Sequence, residues 1–300
     1  MAADRLGRRV AALGASALVL ALFTGCTIDR DPDGDAEAAT VSTGETTTSA
    51  PAATGAPIEV TLPGTLAADF QLWKAQFEGR AGLAVMPVAG ARPVILGDWT
   101  GGPAWSTMKV PLVIAAERAD ASVSTYSMTM AITSSDNTAA DALWQSLGGG
   151  KQAAQAIEEV LREAGDSTTA VPATRPRAEH SAFGQSEWSL DQQVRFTAQL
   201  PCLPGAETVL ELMGRIIPDH QWGLGTVTGA DFKGGWGPDA SGNYLVRQLG
   251  IIDGPGGRIA VAVAAEPASG TFADGMNALN DLAALVADHL DELMGGRCPA

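Results

Sequence analysis

The chain reads as an α+β domain in which an antiparallel sheet is flanked by terminal helices, with an all-helical lobe inserted between two groups of strands. Three observations predict this. Strand-like runs lie near residues 83–98 and again after Trp222, and segments of helical periodicity fill the interval between them. A helix at 66–77 and an amphipathic helix at 273–293 bracket these elements. The chain of 300 residues is 46% hydrophobic and only 18% charged, which is enough apolar side chain for one core of about 240 residues.

Taken in order, the first segment is not part of that core. Arg5, Arg8 and Arg9 precede an apolar run over 10–23, the layout of an export signal and too short to span a membrane. The sequence Leu22-Phe23-Thr24-Gly25-Cys26 resembles a bacterial lipobox, with residues 1–25 as the removed signal and Cys26 as the lipidated residue. Phe23 stands where an aliphatic residue is usual, and a plain secretory signal with a chance cysteine is the alternative. Residues 26–57 are rich in Asp, Thr, Ser, Ala and Pro. Such a segment buries too little surface to offset its ordering entropy and is expected to be a disordered tether with a reach of roughly 30 Å. The expected location is the outer face of the cell membrane, held there through the lipid anchor.

The folded domain is expected over 58–300, with the helical lobe at about 106–221. A helix is predicted over 66–77, then strands over 83–88 and 93–98 around a Gly90-Ala91-Arg92 turn. A helix opens near Ser106. Further helices are predicted over 138–147, 152–164 and 190–200, the last with a capping box in Ser189 and Gln192. Strands over 229–235, 244–252 and 258–265 precede the closing helix. Gly148-Gly149-Gly150 lies between helices and reads as a loop rather than a phosphate cradle.

Composition removes several function classes. A net charge of -15 opposes nucleic-acid binding, which needs clustered Lys and Arg to release counterions. Neutral or cationic partners are expected instead. His180, His220 and His289 are scattered without metal spacing, and no metal or other cofactor is expected. There is no Gly-x-Ser-x-Gly elbow. With Cys26 set aside, Cys202 and Cys298 form an even pair in an oxidising compartment. A disulfide is expected, with two free buried thiols as the alternative.

Two short motifs carry chemistry. In Ser106-Thr107-Met108-Lys109 the hydroxyl and amine lie three apart at the start of a helix, hence on one face, where a neutral lysine can take the serine proton. The helix dipole favours the negative charge that develops there. Burial or a neighbouring cation should lower the lysine pKa. Ser135-Asp136-Asn137 offers a hydroxyl for proton relay and an amide for a substrate amide; a helix N-cap is the other reading, and the two are compatible.

Ser-Thr-x-Lys before an apolar helix, followed by Ser-Asp-Asn-Thr-Ala-Ala, resembles the class A β-lactamases and low-molecular-mass D,D-peptidases of the serine β-lactamase and penicillin-binding superfamily. The resemblance spans about 66–293. It directs attention to a third motif, Lys233-Gly234-Gly235, which stands where the family has Lys-Thr/Ser-Gly on an edge strand. By resemblance Ser106 is the nucleophile, Lys109 its base, Ser135 a proton relay, Asn137 a substrate-amide ligand and Lys233 a positive charge beside the relay. The backbone N–H groups of Ser106 and Trp236 would form the oxyanion hole, with Gly235 keeping the strand approachable by a substrate backbone.

The departures are as informative. Ser106 and Ser135 are 29 residues apart, about half the family's spacing, which implies a trimmed lobe. No Glu-x-x-Leu-Asn occurs between Gly165 and Ser189. The only glutamates there, Glu179 and Glu187, read as surface groups, with Glu179 as the alternative water-activating base. Gly234 removes a hydroxyl that in the family helps hold the substrate carboxylate, and Arg247 is the candidate replacement. Trp236 either narrows the cleft or points away from it, and Trp222 reads as core, with a place lining the cleft as the alternative. The resemblance thus implies a membrane-tethered serine acyl-transfer hydrolase acting on cell-wall peptide, a β-lactam or a related amide or ester through acyl-Ser106, and a poor β-lactamase. The alternative is a catalytically silent lipoprotein that binds through the same cleft.

Overall fold

The computed structural model describes residues 65–120 and 122–299; the export signal, Cys26 and the tether lie outside them. After α1 (Leu66–Lys74) come β1 (Gly79–Pro87), β2 (Val94–Gly97) and the short β3 (Gly101–Pro103). A 3-10 turn, Trp105–Met108, leads into α2 (Lys109–Ala119), and α3 (Thr125–Thr133), α4 (Asn137–Ser146) and α5 (Gly150–Glu163) complete the lobe's first half. A long loop then reaches β4 (Glu187–Ser189), α6 (Leu190–Gln199) and α7 (Glu207–Met213). The chain closes with β5 (Asp231–Pro238), β6 (Tyr244–Gly254), β7 (Gly257–Pro267) and α8 (Phe272–Asp288).

The main sheet has the order β2-β1-β7-β6-β5, antiparallel at every pairing. β7 is central and buried on both faces, which explains its unbroken apolar run from Ile259 to Ala265. The two faces differ in bulk. Ala260, Ala262 and Ala264 meet Leu190, Val194 and Ala198 of α6, so small side chains on the sheet leave room for that helix. Val261, Val263 and Ala265 join the core that includes Leu279, Leu282 and Val286 of α8. Each fully buried aliphatic side chain contributes about 1.5–3 kcal/mol relative to exposure.

α6 packs against the sheet. Its capping box is present in part: Ser189 Oγ accepts from Gln192 N at 3.1 Å. α3, α7 and the β3/β4 pair have no counterpart in the sequence reading. α3, with the sequence Thr-Tyr-Ser-Met-Thr-Met-Ala-Ile-Thr, is rich in residues of modest helix propensity, and three-residue strands are too short to show a period. Cys202 and Cys298 form a disulfide that closes a separation of 96 residues and ties the C-terminal segment to the turn after α6.

Candidate active site

Ser106 sits on the 3-10 turn between β3 and α2, not within a regular helix. The turn is held by Thr107, whose Oγ1 donates to Ala104 O at 2.5 Å and accepts from Gln193 Nε2 at 3.1 Å. Trp105, immediately before the serine, has φ of 49°, and Ser135 has φ of 57°. Only three non-glycine residues among those described adopt positive φ, so two of them flank this one site. Such backbone costs roughly 1–3 kcal/mol per residue and persists where surrounding contacts impose it.

Lys109 opens α2 and is fully buried. Its Nζ donates to Ser135 O at 2.5 Å and Asn137 Oδ1 at 2.8 Å, and lies 3.4 Å from Ser135 Oγ. Ser135 turns the chain between α3 and α4, and the next residue is the cap: Asp136 Oδ1 accepts from Ala139 N at 2.7 Å. Structural and chemical readings of the motif therefore fall on different side chains. From the other side, Lys233 of β5, 2% exposed, donates to Ser135 Oγ at 2.9 Å and Gly234 O at 2.8 Å. Ser135 Oγ thus stands between two lysines.

Burial sets the charge of both amines. It brings the Lys109 pKa down to about 7, against the opposing pull of Asp136 and Asp141. Burial, with the nearby charge of Lys109, holds Lys233 well below the ordinary lysine range. A lysine free of its proton for half the time near neutrality meets the requirement for a serine base. Among the described residues, no hydrogen bond joins Ser106 Oγ to Lys109 or Ser135.

The edge strand approaches the nucleophile closely at Gly235. A β-carbon there would lie 2.8 Å from Ser106 N, 2.9 Å from Thr107 N and 3.0 Å from Ala104 O, all backbone atoms, so only glycine allows this contact. It brings the Trp236 backbone alongside Ser106. A cavity of about 140 Å³ opens there, lined by Ser106, Asn137 and Trp236 with Trp105, Glu179 and His180. Asp141 and Arg175 also line it and pair with each other at 2.8 Å.

Arg247 is not in this cleft, which corrects its expected role as a carboxylate ligand. It lies opposite Gly235 on β6, fully buried. Its guanidinium donates to Gly102 O, Pro103 O, Trp188 O and Gln193 Oε1 at 2.9–3.1 Å. The residue ties β3, β4 and α6 to the sheet, a use that a lone arginine on an apolar strand does not reveal in sequence. Trp222 is 7% exposed and its ring covers Gly234, where a β-carbon would meet it at 3.1 Å. Glu187 is exposed on β4. Glu179 reaches the cavity, but its side chain is 60% exposed and paired with Arg177 at 3.0 Å.

Trp105, Asp141, Arg175 and His180 line the site without having been singled out as site residues. Asp141 carried a readable signal, standing four residues after Asn137 and hence one turn along the same face of α4. His180 packs edge-on against Trp105 at 4.9 Å between ring centres. Its Nε2 is buried without a hydrogen-bond partner among the described residues, with Glu179 Oε1 3.8 Å away, and burial and Arg177 lower its pKa.

No family model and no curated protein matches the chain. Solved structures do. The TLA-3 extended-spectrum β-lactamase superposes with a TM-score of 0.61 at 16% identity, covering 75% of this chain and 98% of its own. A class A β-lactamase from Mycobacterium abscessus gives 0.58 at 19%, covering 74% and 98%. PBP-A gives 0.59 at 18%, covering 77% and 97%. Sequence identities this low speak to architecture, and the architecture is that of the serine β-lactamases and penicillin-binding proteins.

Proposed function

We propose that this domain is a serine acyl-transfer hydrolase of β-lactamase and D,D-peptidase type that forms an acyl-Ser106 intermediate. The observation that carries the reading is the position of Ser135 Oγ between Lys109 and Lys233, in a site whose Ser106 and Asn137 line one cavity. In this reading neutral Lys109 accepts the Ser106 proton as Oγ bonds to the substrate carbonyl carbon. The carbonyl oxygen takes up the negative charge against the N–H groups of Ser106 and Trp236. Ser135 passes a proton to the departing nitrogen or oxygen and is reprotonated from the lysine side, so the bond to the leaving group breaks with protons balanced. Asn137 holds the acyl-side amide.

Deacylation is the weak step. Glu179 is solvated and paired with an arginine, and Asp141 is paired with Arg175; neither is an unpaired carboxylate poised to activate water. We therefore propose a poor β-lactamase acting on a cell-wall peptide, a β-lactam or a related amide or ester. The proposal includes export and tethering to the outer face of the cell membrane through Cys26, motivated by the lipobox-like sequence.

The test is intact-mass measurement after exposure to a penicillin, an activated ester and a fluorophosphonate. A long-lived adduct that is absent from Ser106→Ala is the expected result. Failure of all three to modify Ser106 would overturn the reading. One observation favours the alternative of a catalytically silent binding protein: Lys109 is hydrogen-bonded to Ser135 and Asn137 rather than to Ser106.

A further inference from the structure

One residue lining the cleft, Trp236, belongs to a cluster of aromatic rings behind it. Trp236, which lines the Ser106 cavity, has His220 at 5.1 Å, Phe272 at 5.3 Å and Trp222 at 5.7 Å between ring centres. Trp222 and Phe272 meet edge-to-face at 5.9 Å. The cluster begins beside the proton relay: Lys233 is bonded to Ser135 Oγ and Gly234 O, and the Trp222 ring lies over Gly234 in the space a side chain would otherwise take.

Among the described residues, this cluster and the cavity beside it offer a ligand no unpaired cation. Lys233 Nζ is enclosed and committed to Ser135 and Gly234. Arg247 is turned to the other face of the sheet and bonded to backbone carbonyls. Arg175 is paired with Asp141. His220 is held toward its neutral form by burial and by the charge of Lys233. Asp141 and Glu179 at the rim are ion-paired with Arg175 and Arg177, in a protein of net charge -15. A carboxylate entering here would lose water and gain no guanidinium or free ammonium in exchange. A flat uncharged ring would gain edge-to-face or offset contacts with Trp236 and its neighbours.

We propose that His220, Trp222, Trp236 and Phe272 form a subsite for an uncharged aromatic group. On the acyl-transfer reading above, on which this assignment of side rests, the group belongs to the leaving-group half of the substrate. The subsite selects neutral aryl esters or amides over compounds with a carboxylate at that place.

Binding can be measured without turnover. In the Ser106→Ala protein, acetanilide and 4-acetamidobenzoate, which differ only by the carboxylate, are titrated while the tryptophan indole N–H resonances are followed by NMR. Acetanilide should bind about tenfold or more tightly and shift indole signals. Trp236→Leu should weaken acetanilide about tenfold, whereas Trp236→Phe, which keeps a ring, should retain most of the affinity. Equal or tighter binding of the carboxylate compound overturns the proposal, as does acetanilide binding that Trp236→Leu leaves unchanged. The ligand comparison needs no Trp236 variant, so misfolding of a variant does not rescue the proposal. Because Ser106 is absent, failure of acylation in the native protein and failure of the aromatic subsite are separate outcomes.

Discussion

The displaced pKa of Lys109 can be turned into a rate profile. With a value of about 7, the fraction of Lys109 carrying no proton rises from about 9% at pH about 6 to about 91% at pH about 8. Acylation of Ser106 should therefore accelerate roughly tenfold across that interval and then level off. The assay is the pseudo-first-order rate of adduct formation with a reagent that has no titrating group, read by quenched intact-mass spectrometry. Lys109→Met should abolish the rise and slow the reaction by about 10²–10⁴-fold, the usual worth of a positioned base. Asp141→Asn removes an anion that raises the Lys109 pKa, and the inflection should move to lower pH. Stability carries the same signature. The folded value lies below the ordinary 10.5, so the unfolded chain binds more protons between the two, and native stability gains up to ~1.4 kcal/mol per unit as pH rises from about 7 toward about 10. Lys109→Met should lack that gain. A rate that is flat between pH about 6 and about 8, or an inflection that survives in Lys109→Met, would refute the reasoning.

Three further variants test the architecture around the site. Gly235→Ala places a β-carbon within 2.8–3.0 Å of three backbone atoms of the nucleophile turn; acylation should fall about 10²–10³-fold, as for loss of an oxyanion donor, while circular dichroism stays native. Arg247→Met strands four acceptors and should cost ~3–5 kcal/mol in denaturant unfolding; unchanged stability with selective loss of carboxylate binding would return Arg247 to the cleft. Joint replacement of Cys202 and Cys298 by Ala opens a loop of 96 residues and should cost ~4–5 kcal/mol by the chain-entropy account, read as a lower midpoint that reducing agent no longer shifts.

Much of this domain was legible because its signals are local. The central strands have continuous apolar runs, α6 has a capping serine, and α8 has a clear amphipathic period. The three motifs converge because each is set by a turn or strand end whose residue types are restrictive: an Asp cap after Ser135, and a glycine where β5 touches the Ser106 turn. What escaped the sequence depends on long-range packing. Nothing local distinguishes an arginine that serves a ligand from Arg247, which braces β3, β4 and α6 from a strand over fifty residues later in the chain. Trp222, which reads as core or as cleft lining, is buried and covers Gly234. His180 and Trp105 meet only because the loop after α5 folds back over the nucleophile turn. The short strands and the polar α3 were missed because their own patterns are weak and their neighbours stabilise them.

Locating the acyl group on the chain tests the central claim most directly. The tryptic peptide spanning residues 81–109 contains a single serine, Ser106. After brief treatment with a fluorophosphonate or activated ester, tandem mass spectrometry of that peptide should place one added group on Ser106 in the native protein, and the group should be lost or strongly reduced in Lys109→Met, whose corresponding peptide runs on to Arg118 and still contains only that serine. A label on another residue, or an equal yield at Ser106 in Lys109→Met, would contradict a nucleophile activated by the buried lysine.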